Sequence, residues 1–319
     1  MQSVWMIVAA LLFSVMGVAV KLSSAQYGTW EIVAYRGLVG MVVMSGIIAV
    51  RAFRGGPSLH EALATRHPRL HLTRDISGTV SLTLWFFAIA GLPLATAMTI
   101  NYSSPLFIGA WVAWTAFRSG ERIDRGMTLA LLFGFIGVVL LLQPSFNRDQ
   151  WMYAIIGVTS TTLTAVAYLS VKALGRAGEP DTRIVFYMSL INALAGFAGA
   201  LLFGLHAHDP HGIALLLTVG ICGALAQLAV TRAFAGGGTL LTANLGYTGI
   251  VFSSIWGFVF FGDRVQTTSG FGMAIVVVSG VLATLMTARA LRRAASEPDE
   301  TISSPLPLGA ASHAAIDRR

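Results

Sequence analysis

Ten apolar segments of 17 to 24 residues follow one another along this 319-residue chain. A helix needs about 20 apolar residues to cross the hydrocarbon core of a bilayer. Only 11% of the residues are charged, against about 25% in a soluble domain. The sequence therefore predicts an all-α integral membrane protein with ten transmembrane helices. The segments are 3–22, 30–50, 74–91, 95–117, 126–142, 151–174, 182–204, 212–234, 239–261 and 268–288.

Lys and Arg lie mainly in the loops that follow the even-numbered segments, which predicts a cytoplasmic location for those loops and for both termini. This bias accounts for the net charge of +7, so no nucleic-acid partner is needed to explain it. No basic residues precede the first segment and nine segments follow it, so we expect a retained helix and not a signal peptide. Residues 290–319 are predicted to form a disordered cytoplasmic tail.

The chain also repeats itself. Three short motifs recur in the same order at offsets of 142 to 152 residues: Gly120-Glu121-Arg122 with Gly262-Asp263-Arg264, Ile32–Tyr35 with Ile184–Tyr187, and Val20-Lys21 with Val171-Lys172. A five-helix unit crosses the membrane an odd number of times, so a second copy enters from the opposite side. We therefore expect two inverted five-helix repeats, at 1–143 and 150–289, with a substrate site where they meet.

The fourth segment carries its polar residues in the middle: Thr99, Asn101, Tyr102, Ser103 and Ser104, followed by Pro105. Proline lacks the N–H that would bond to the carbonyl of Asn101, four residues earlier. Such a gap is tolerated in a membrane only where it is buried in protein or lines a wet cavity. The pattern predicts a polar, broken-helix site near the bilayer midplane.

With these features the chain resembles the EamA-type, ten-helix members of the drug/metabolite transporter superfamily from residue 1 to about 290. The resemblance rests on Glu31–Arg36, on Trp85 through Pro105-Leu106-Phe107, on Gly120-Glu121, and on the glycine-marked stretches 125–137 and 270–280. It implies a metabolite carrier whose third, fourth, eighth and ninth helices surround the cavity. Members that resemble one another this closely export amino acids, import S-adenosylmethionine or move riboflavin. In the second half, Tyr247 occupies the place of Pro105, with Gly246 and Gly249 beside it.

Several polar side chains at mid-segment positions are candidates for substrate binding. Trp85 and Gln227 hold equivalent places in segments three and eight, where they either join helices or line the cavity, and the resemblance favours lining. Asn244 and Tyr247 share a helix face that would oppose Asn101 and Tyr102. The candidate substrate-binding residues are Trp85, Asn101, Tyr102, Ser104, Pro105, Tyr168, Gln227, Asn244 and Tyr247.

Charged side chains allow two interpretations each. Arg36 lies inside segment two, where it either reaches the interface and nearby carbonyls or neutralises an anionic substrate group. Lys21 and Lys172 end corresponding helices and are candidates for a gate, although lysines at helix ends commonly reach water. For Glu121 and Asp263, helix capping is favoured over proton coupling.

The sequence predicts a secondary transporter that moves a small polar metabolite, such as an amino acid, across the cell inner membrane by alternating access. It contains no nucleotide-binding motif and no recognisable catalytic set, so no cofactor is predicted. An uptake carrier for a larger metabolite, a membrane enzyme and a channel are the alternatives. His206, His208 and His211 follow segment seven, where a solvated loop is favoured over a metal site. A homo-oligomer is compatible with the sequence.

Overall fold

The computed structural model describes residues 4–118, 125–142, 150–236, 245–263 and 267–296, and these residues are helical apart from short connections. The helices are α1 (Trp5–Ser23), α2 (Thr29–Phe53), α3 (Leu59–Leu63), α4 (Pro68–Gly91), α5 (Leu94–Tyr102), α6 (Ser104–Arg118), α7 (Arg125–Leu142), α8 (Gln150–Arg176), α9 (Asp181–Phe203), α10 (Pro210–Gly236), α11 (Thr248–Phe261) and α12 (Thr267–Ser296). The predicted all-α class is confirmed for this part of the chain.

Five of the described helices are long and apolar enough to cross a membrane: α1, α2, α8, α9 and α10. Shorter apolar stretches occupy α11 and Gly270–Ser279. Large apolar side chains cover the outside of the bundle, as at Phe53 and Leu202, which are 92% and 82% exposed. A surface of this kind is stable against lipid but not against water, so the protein is a multi-pass membrane protein.

Two helix boundaries differ from those predicted by the sequence. Helix α4 begins at Pro68, six residues before the predicted third segment, and it therefore carries Arg74 well inside the helix. Proline suits this first position because its missing N–H would have no helical partner there. At the other end of the chain, α12 continues to Ser296, so the first part of the predicted tail is helical.

Four helix pairs dominate the packing: α2 with α9, α4 with α8, α1 with α10, and α7 with α12. Small residues allow the closest approach. A Cβ atom on Gly37 would lie 2.2 Å from the backbone nitrogen of Ala193, and one on Gly196 would lie 2.3 Å from that of Ala34. Small residues of this kind let the backbones of membrane helices touch. Gly37 and Gly196 therefore hold α2 and α9 in close contact.

The predicted fourth span is divided at Ser103 into α5 and α6. The N–H of Leu106 donates to the carbonyl of Ser103 at 2.9 Å, a turn of three residues instead of four. The carbonyl of Ile100 accepts hydrogen bonds from the hydroxyl of Ser103 at 2.6 Å and from that of Thr161 at 2.9 Å. Side-chain hydroxyls thus replace the missing helical hydrogen bond at the carbonyl of Ile100. The sequence predicted the gap one residue later, at the carbonyl of Asn101.

A similar turn precedes α11. The N–H of Ile250 donates to the carbonyl of Tyr247 at 3.0 Å, with the same three-residue spacing as the bond from Leu106 to Ser103. Tyr247 thus accepts the hydrogen bond of this turn as Ser103 accepts that of the other. If the two turns correspond, Gly249 and not Tyr247 falls at the place of Pro105.

Candidate functional site

A cavity of about 50 Å³ lies in the bundle, where six helices meet. It is large enough for a few water molecules. Five of the predicted site residues line it: Trp85, Asn101, Tyr102, Tyr168 and Gln227. The other lining residues are Phe13, Arg74, Gly78, Ser81, Leu82, Thr164, Ala167 and Met188.

One face of α4 forms the long wall of this cavity. Arg74, Gly78, Ser81 and Trp85 recur at intervals of three and four residues, the spacing that places side chains on one side of a helix. From the first to the last of them the wall extends about 16 Å along the helix axis at 1.5 Å per residue. The cavity is therefore elongated, with a cationic end and an aromatic end.

A network of hydroxyl groups holds the middle of the cavity. The hydroxyl of Ser81 lies 2.6 Å from that of Thr164 and donates to the carbonyl of Ser160 at 2.9 Å. The hydroxyl of Thr164 lies 3.5 Å from the side-chain oxygen of Asn101. These contacts join α4, α5 and α8, so the position of Asn101 in the wall depends on both neighbouring helices.

Several polar atoms at the cavity have no partner among the described residues. They include the indole nitrogen of Trp85, the amide nitrogen of Gln227 and the hydroxyl of Tyr102. These three side chains are only 5 to 7% exposed. A buried polar group without a hydrogen bond costs about 1–3 kcal/mol. The atoms are thus available to water or to a ligand, and within the described residues they join no helices through hydrogen bonds.

Arg74 is the charged residue among the eight lining residues that the sequence did not indicate. The charge pattern assigns it to a cytoplasmic loop, but it is 1% exposed and faces the cavity. Its Nη2 lies 2.9 Å from the sulfur of Met188, and its Nε and Nη1 have no partner in the described residues. The signal was present, because Gly78 one turn later leaves space for a long side chain on the same helix face.

Arg36 is also buried, at 3% exposure, and its Nε is unpartnered within the described chain. Burial is inconsistent with the expected alternative in which the side chain reaches the interface. Arg36 packs against Gly223 of α10, where an added Cβ would lie 3.0 Å from its Nε. It is not among the residues that line the cavity itself.

The remaining candidates lie elsewhere or outside the described part. Tyr247 is buried, and its hydroxyl has no partner among the residues described. Ser104 is buried without lining the cavity, and Lys172 lies near the end of α8, away from the lining residues. Asn244 falls outside the described residues, as does the side chain of Pro105.

Lys21 and Asp263 lie together at one end of the bundle. The ammonium group of Lys21 donates to the carbonyl of Leu92 and lies 5.3 Å from the centre of the Phe261 ring. Asp263 accepts from the N–H of Leu94 at 3.1 Å. The acid does cap a helix, as expected, but the helix is α5 and not the one that follows it. Glu121, its predicted counterpart, lies outside the described residues.

Glu31 and the histidines after α9 form another contact. Glu31 is 1% exposed and accepts from the backbone of His206 at 3.1 Å, and its other oxygen lies 2.8 Å from the Nδ1 of that residue. His208 is 3.6 Å from the same carboxylate and stacks on Tyr27. No metal-binding group of three such side chains occurs in the described ranges. The contact fastens the loop to α2.

A larger groove of about 540 Å³ is lined by residues of α7 and α12. Its walls are apolar, including Leu129, Phe133 and Phe271, which are 56 to 65% exposed. Such a groove has the chemistry of a lipid-facing surface. It supplies no convergent polar groups, and we therefore assign the candidate site to the smaller, polar cavity.

Comparisons with known proteins agree with this geometry. Residues 2–143 match the EamA-like transporter family. The pseudopaline exporter CntI of Pseudomonas aeruginosa is 28% identical over 273 residues, which cover 86% of this chain and 92% of the exporter. A riboflavin transporter of Vibrio cholerae is 25% identical, with coverage of 91% and 95%.

Two further similarities are more distant. An S-adenosylmethionine uptake transporter of Rickettsia prowazekii is 21% identical and covers 86% of this chain and 88% of its own. One crystal structure superimposes with a TM-score of 0.65 at 20% identity, covering 91% of this chain and 98% of that one. The structural likeness concerns the fold alone.

A helical membrane bundle with a polar cavity is consistent with these relatives, which are transporters. Over residues 2–143 the chain matches the EamA-like transporter family, and over most of its length it is similar to metabolite transporters. The resemblance expected from the sequence is confirmed.

Proposed function

We propose that the protein is a secondary transporter that carries a small polar metabolite across the cytoplasmic membrane by alternating access. In this proposal ten spans form two inverted five-helix repeats, at 1–143 and 150–289, and both termini are cytoplasmic. Trp85, Asn101, Tyr102, Tyr168 and Gln227 contact the substrate. Secondary transport, driven by a substrate or ion gradient, fits a sequence without a nucleotide-binding motif.

The packing of the helices supports the repeat. If α1 corresponds to α8, α2 to α9, α4 to α10 and α7 to α12, then the pairs α2–α9 and α7–α12 each map onto themselves. The pair α4–α8 maps onto α10–α1. Two-fold pseudosymmetry requires this relation among the four dominant contacts. The three-residue turns at Ser103 and Tyr247 fit the same correspondence.

The observation that carries the function is the cavity itself. Helices from both proposed repeats line it, and several of its polar atoms have no partner among the described residues. At about 50 Å³ it is far smaller than the roughly 300 Å³ or more of a ligand pocket. A metabolite can therefore enter only if the helices separate, which is what alternating access requires.

Ligand screening tests the function directly. Purified protein is heated with amino acids, nucleosides, S-adenosylmethionine and riboflavin, because a ligand that binds only the folded state raises the melting temperature. Each compound that raises it is then loaded into proteoliposomes, and exchange of labelled compound is measured. We expect exchange that is lost when Gln227→Leu is introduced. Binding without any exchange across the bilayer would refute transport.

The two largest ligands in that panel represent the alternative of a carrier for a larger metabolite. The riboflavin and S-adenosylmethionine transporters among the relatives support including it. If only those compounds raise the melting temperature and exchange, the substrate is of the larger class.

Reporter fusions test the topology. Fusions after Arg54, Arg122, Arg183 and Arg293 are expected to report the cytoplasm. A fusion after Gln150 or His208 is expected to report the outside. Two or more reversed assignments would contradict the inverted repeat.

A further inference from the structure

Arg74 extends toward the cavity and away from the N-terminal end of α4. It is in the second turn of α4, close enough to the helix start for a long side chain to reach the interface. Side chains on helices commonly lean toward the N-terminus, which is the direction of that interface. Its guanidinium instead lies beside Gly78, one turn deeper, where an added Cβ would overlap Nη1.

The protein provides little to neutralise this charge. No ion pair within 4.0 Å joins Arg74 or Arg36 to a carboxylate in the described part of the chain, where the recorded pairs involve other residues. The sulfur of Met188, the partner of Nη2, is a weak acceptor. A buried cation is stable only when it is paired and hydrogen-bonded. The donors of Nε and Nη1 have no partner among the described residues and are available to a ligand.

A second cation lies near the first. Arg36 contacts Gly223 of α10, which lies one helical turn from the cavity-lining residue Gln227. Asp75 follows Arg74 directly in the helix, and none of the ion pairs among the described residues joins the two. Two guanidinium groups against this one carboxylate leave an excess of one positive charge in the region. An anion with one or more negative charges would neutralise this excess.

We propose that the structure provides an oxyanion subsite, in which Arg74 binds a carboxylate or phosphate group of the transported molecule and Arg36 adds a second positive charge behind it. Arginine matches the planar, multidentate geometry of such groups. The guanidinium beside Gly78 is about 10 Å along the helix axis from Trp85 at 1.5 Å per residue. The substrate is thus an organic acid or phosphate ester with its anionic group at Arg74 and its remainder toward Trp85 and Gln227. This inference rests on the proposed transport function.

Simple probes test the subsite without knowledge of the natural substrate. Sodium benzoate and inorganic phosphate are titrated into the full-length protein in a neutral detergent at constant ionic strength, with benzamide as the uncharged match for benzoate. The melting temperature is the readout. We expect benzoate or phosphate to raise it and benzamide not to, and the larger of the two anion effects distinguishes a carboxylate from a phosphate.

Variants assign the effect to Arg74. Arg74→Gln is expected to weaken anion binding roughly 10- to 100-fold, as for the loss of a charged hydrogen bond. Gly78→Ala keeps the charge but displaces the guanidinium, so it is expected to weaken binding as well. Arg54→Gln, which removes an exposed arginine after α2, is the matched control and is expected to leave binding unchanged.

A measurement without ligand covers the case in which a variant folds poorly. Arg74→Met removes an unpaired buried charge, so it is expected to leave the melting temperature of the ligand-free protein unchanged or to raise it. If the guanidinium were paired inside the protein, the same change would lower that temperature strongly. A strong decrease would overturn the subsite, as would anions that stabilise no more than benzamide or that stabilise Arg74→Gln equally.

The outcomes also separate this inference from the proposed function. Exchange of a neutral or cationic metabolite that is insensitive to Arg74→Gln would keep the transporter and reject the subsite. Anion binding that depends on Arg74, in a protein that exchanges nothing across a bilayer, would keep the subsite and reject the transporter.

Discussion

The polar atoms of the cavity that lack partners among the described residues should destabilise the folded protein when no ligand is bound. Gln227→Leu and Tyr102→Phe keep most of the side-chain volume but remove a buried polar group that has no partner among the described residues. Leaving such a group unsatisfied costs about 1–3 kcal/mol, and water in the cavity reduces that cost. At about 2 °C per kcal/mol for a chain of this size, each change should raise the melting temperature by zero to roughly 4 °C. Affinity for a bound metabolite should fall.

Thr161→Val is the matched control. It is equally conservative in shape, but the hydroxyl of Thr161 is fully buried and bonded to the carbonyls of Ile100 and Gly157, both at 2.9 Å. Losing a bond of this kind costs about 0.5–1.5 kcal/mol, so the melting temperature should fall by roughly 1–3 °C. All three variants are measured without ligand in one detergent. A decrease in Gln227→Leu and Tyr102→Phe equal to that in Thr161→Val would refute the reasoning.

Three further predictions concern the scaffold. Burial alone would raise the pKa of Glu179, but hydrogen bonds from Thr65, Arg183 and His71 and the charge of Arg183 lower it below its ordinary value of 4.5. Its stabilisation is therefore present above pH 4.5 and lost as the pH falls through the lowered pKa. Glu179→Gln should melt lower than wild type at pH 7 and approach it in acid. Gly196→Val should prevent folding or reduce yield, because its side chain would meet the backbone of α2; an unchanged yield would contradict the close packing. Asp263→Asn should lower the free energy of unfolding by about 1 kcal/mol, because it weakens the cap of α5. An unchanged melting temperature would show that this cap contributes nothing.

Much of the fold was predictable because the apolar composition of a segment identifies it as a membrane-spanning helix. Length and hydropathy predicted helices close to those observed, since lipid offers no other partner for backbone polar groups. The break in the fourth span was predictable from Pro105, since proline removes a donor wherever it occurs in a helix. Its location at Ser103 was not, because it depends on a hydroxyl from Thr161, 61 residues away.

The cavity was predictable in part. Trp85, Asn101, Tyr102, Tyr168 and Gln227 were singled out as polar or aromatic side chains at mid-depth, and all five line it. Arg74 was missed since charge counting treats every arginine near a segment end as a loop residue. Its direction depends on the space at Gly78 and on Met188 of another helix, which no local pattern reports. Sequence periodicity gives the face of a helix, but tertiary packing decides where a long side chain ends.

The turn at Ser103 allows α6 to tilt relative to α5. Helix α5 is fastened at both ends, to Asp263 through the N–H of Leu94 and to Thr161 through the carbonyl of Ile100. The carbonyl of Ile100 accepts hydrogen bonds from the hydroxyls of Ser103 and Thr161 and not from the backbone of α6. A change of angle between α5 and α6 therefore leaves these hydrogen bonds intact. The 15 residues of α6 span about 22 Å at 1.5 Å per residue. A tilt of about 10° at Ser103 would therefore move the far end, at Arg118, by roughly 4 Å, while the half of the span that carries Asn101 and Tyr102 stays in place.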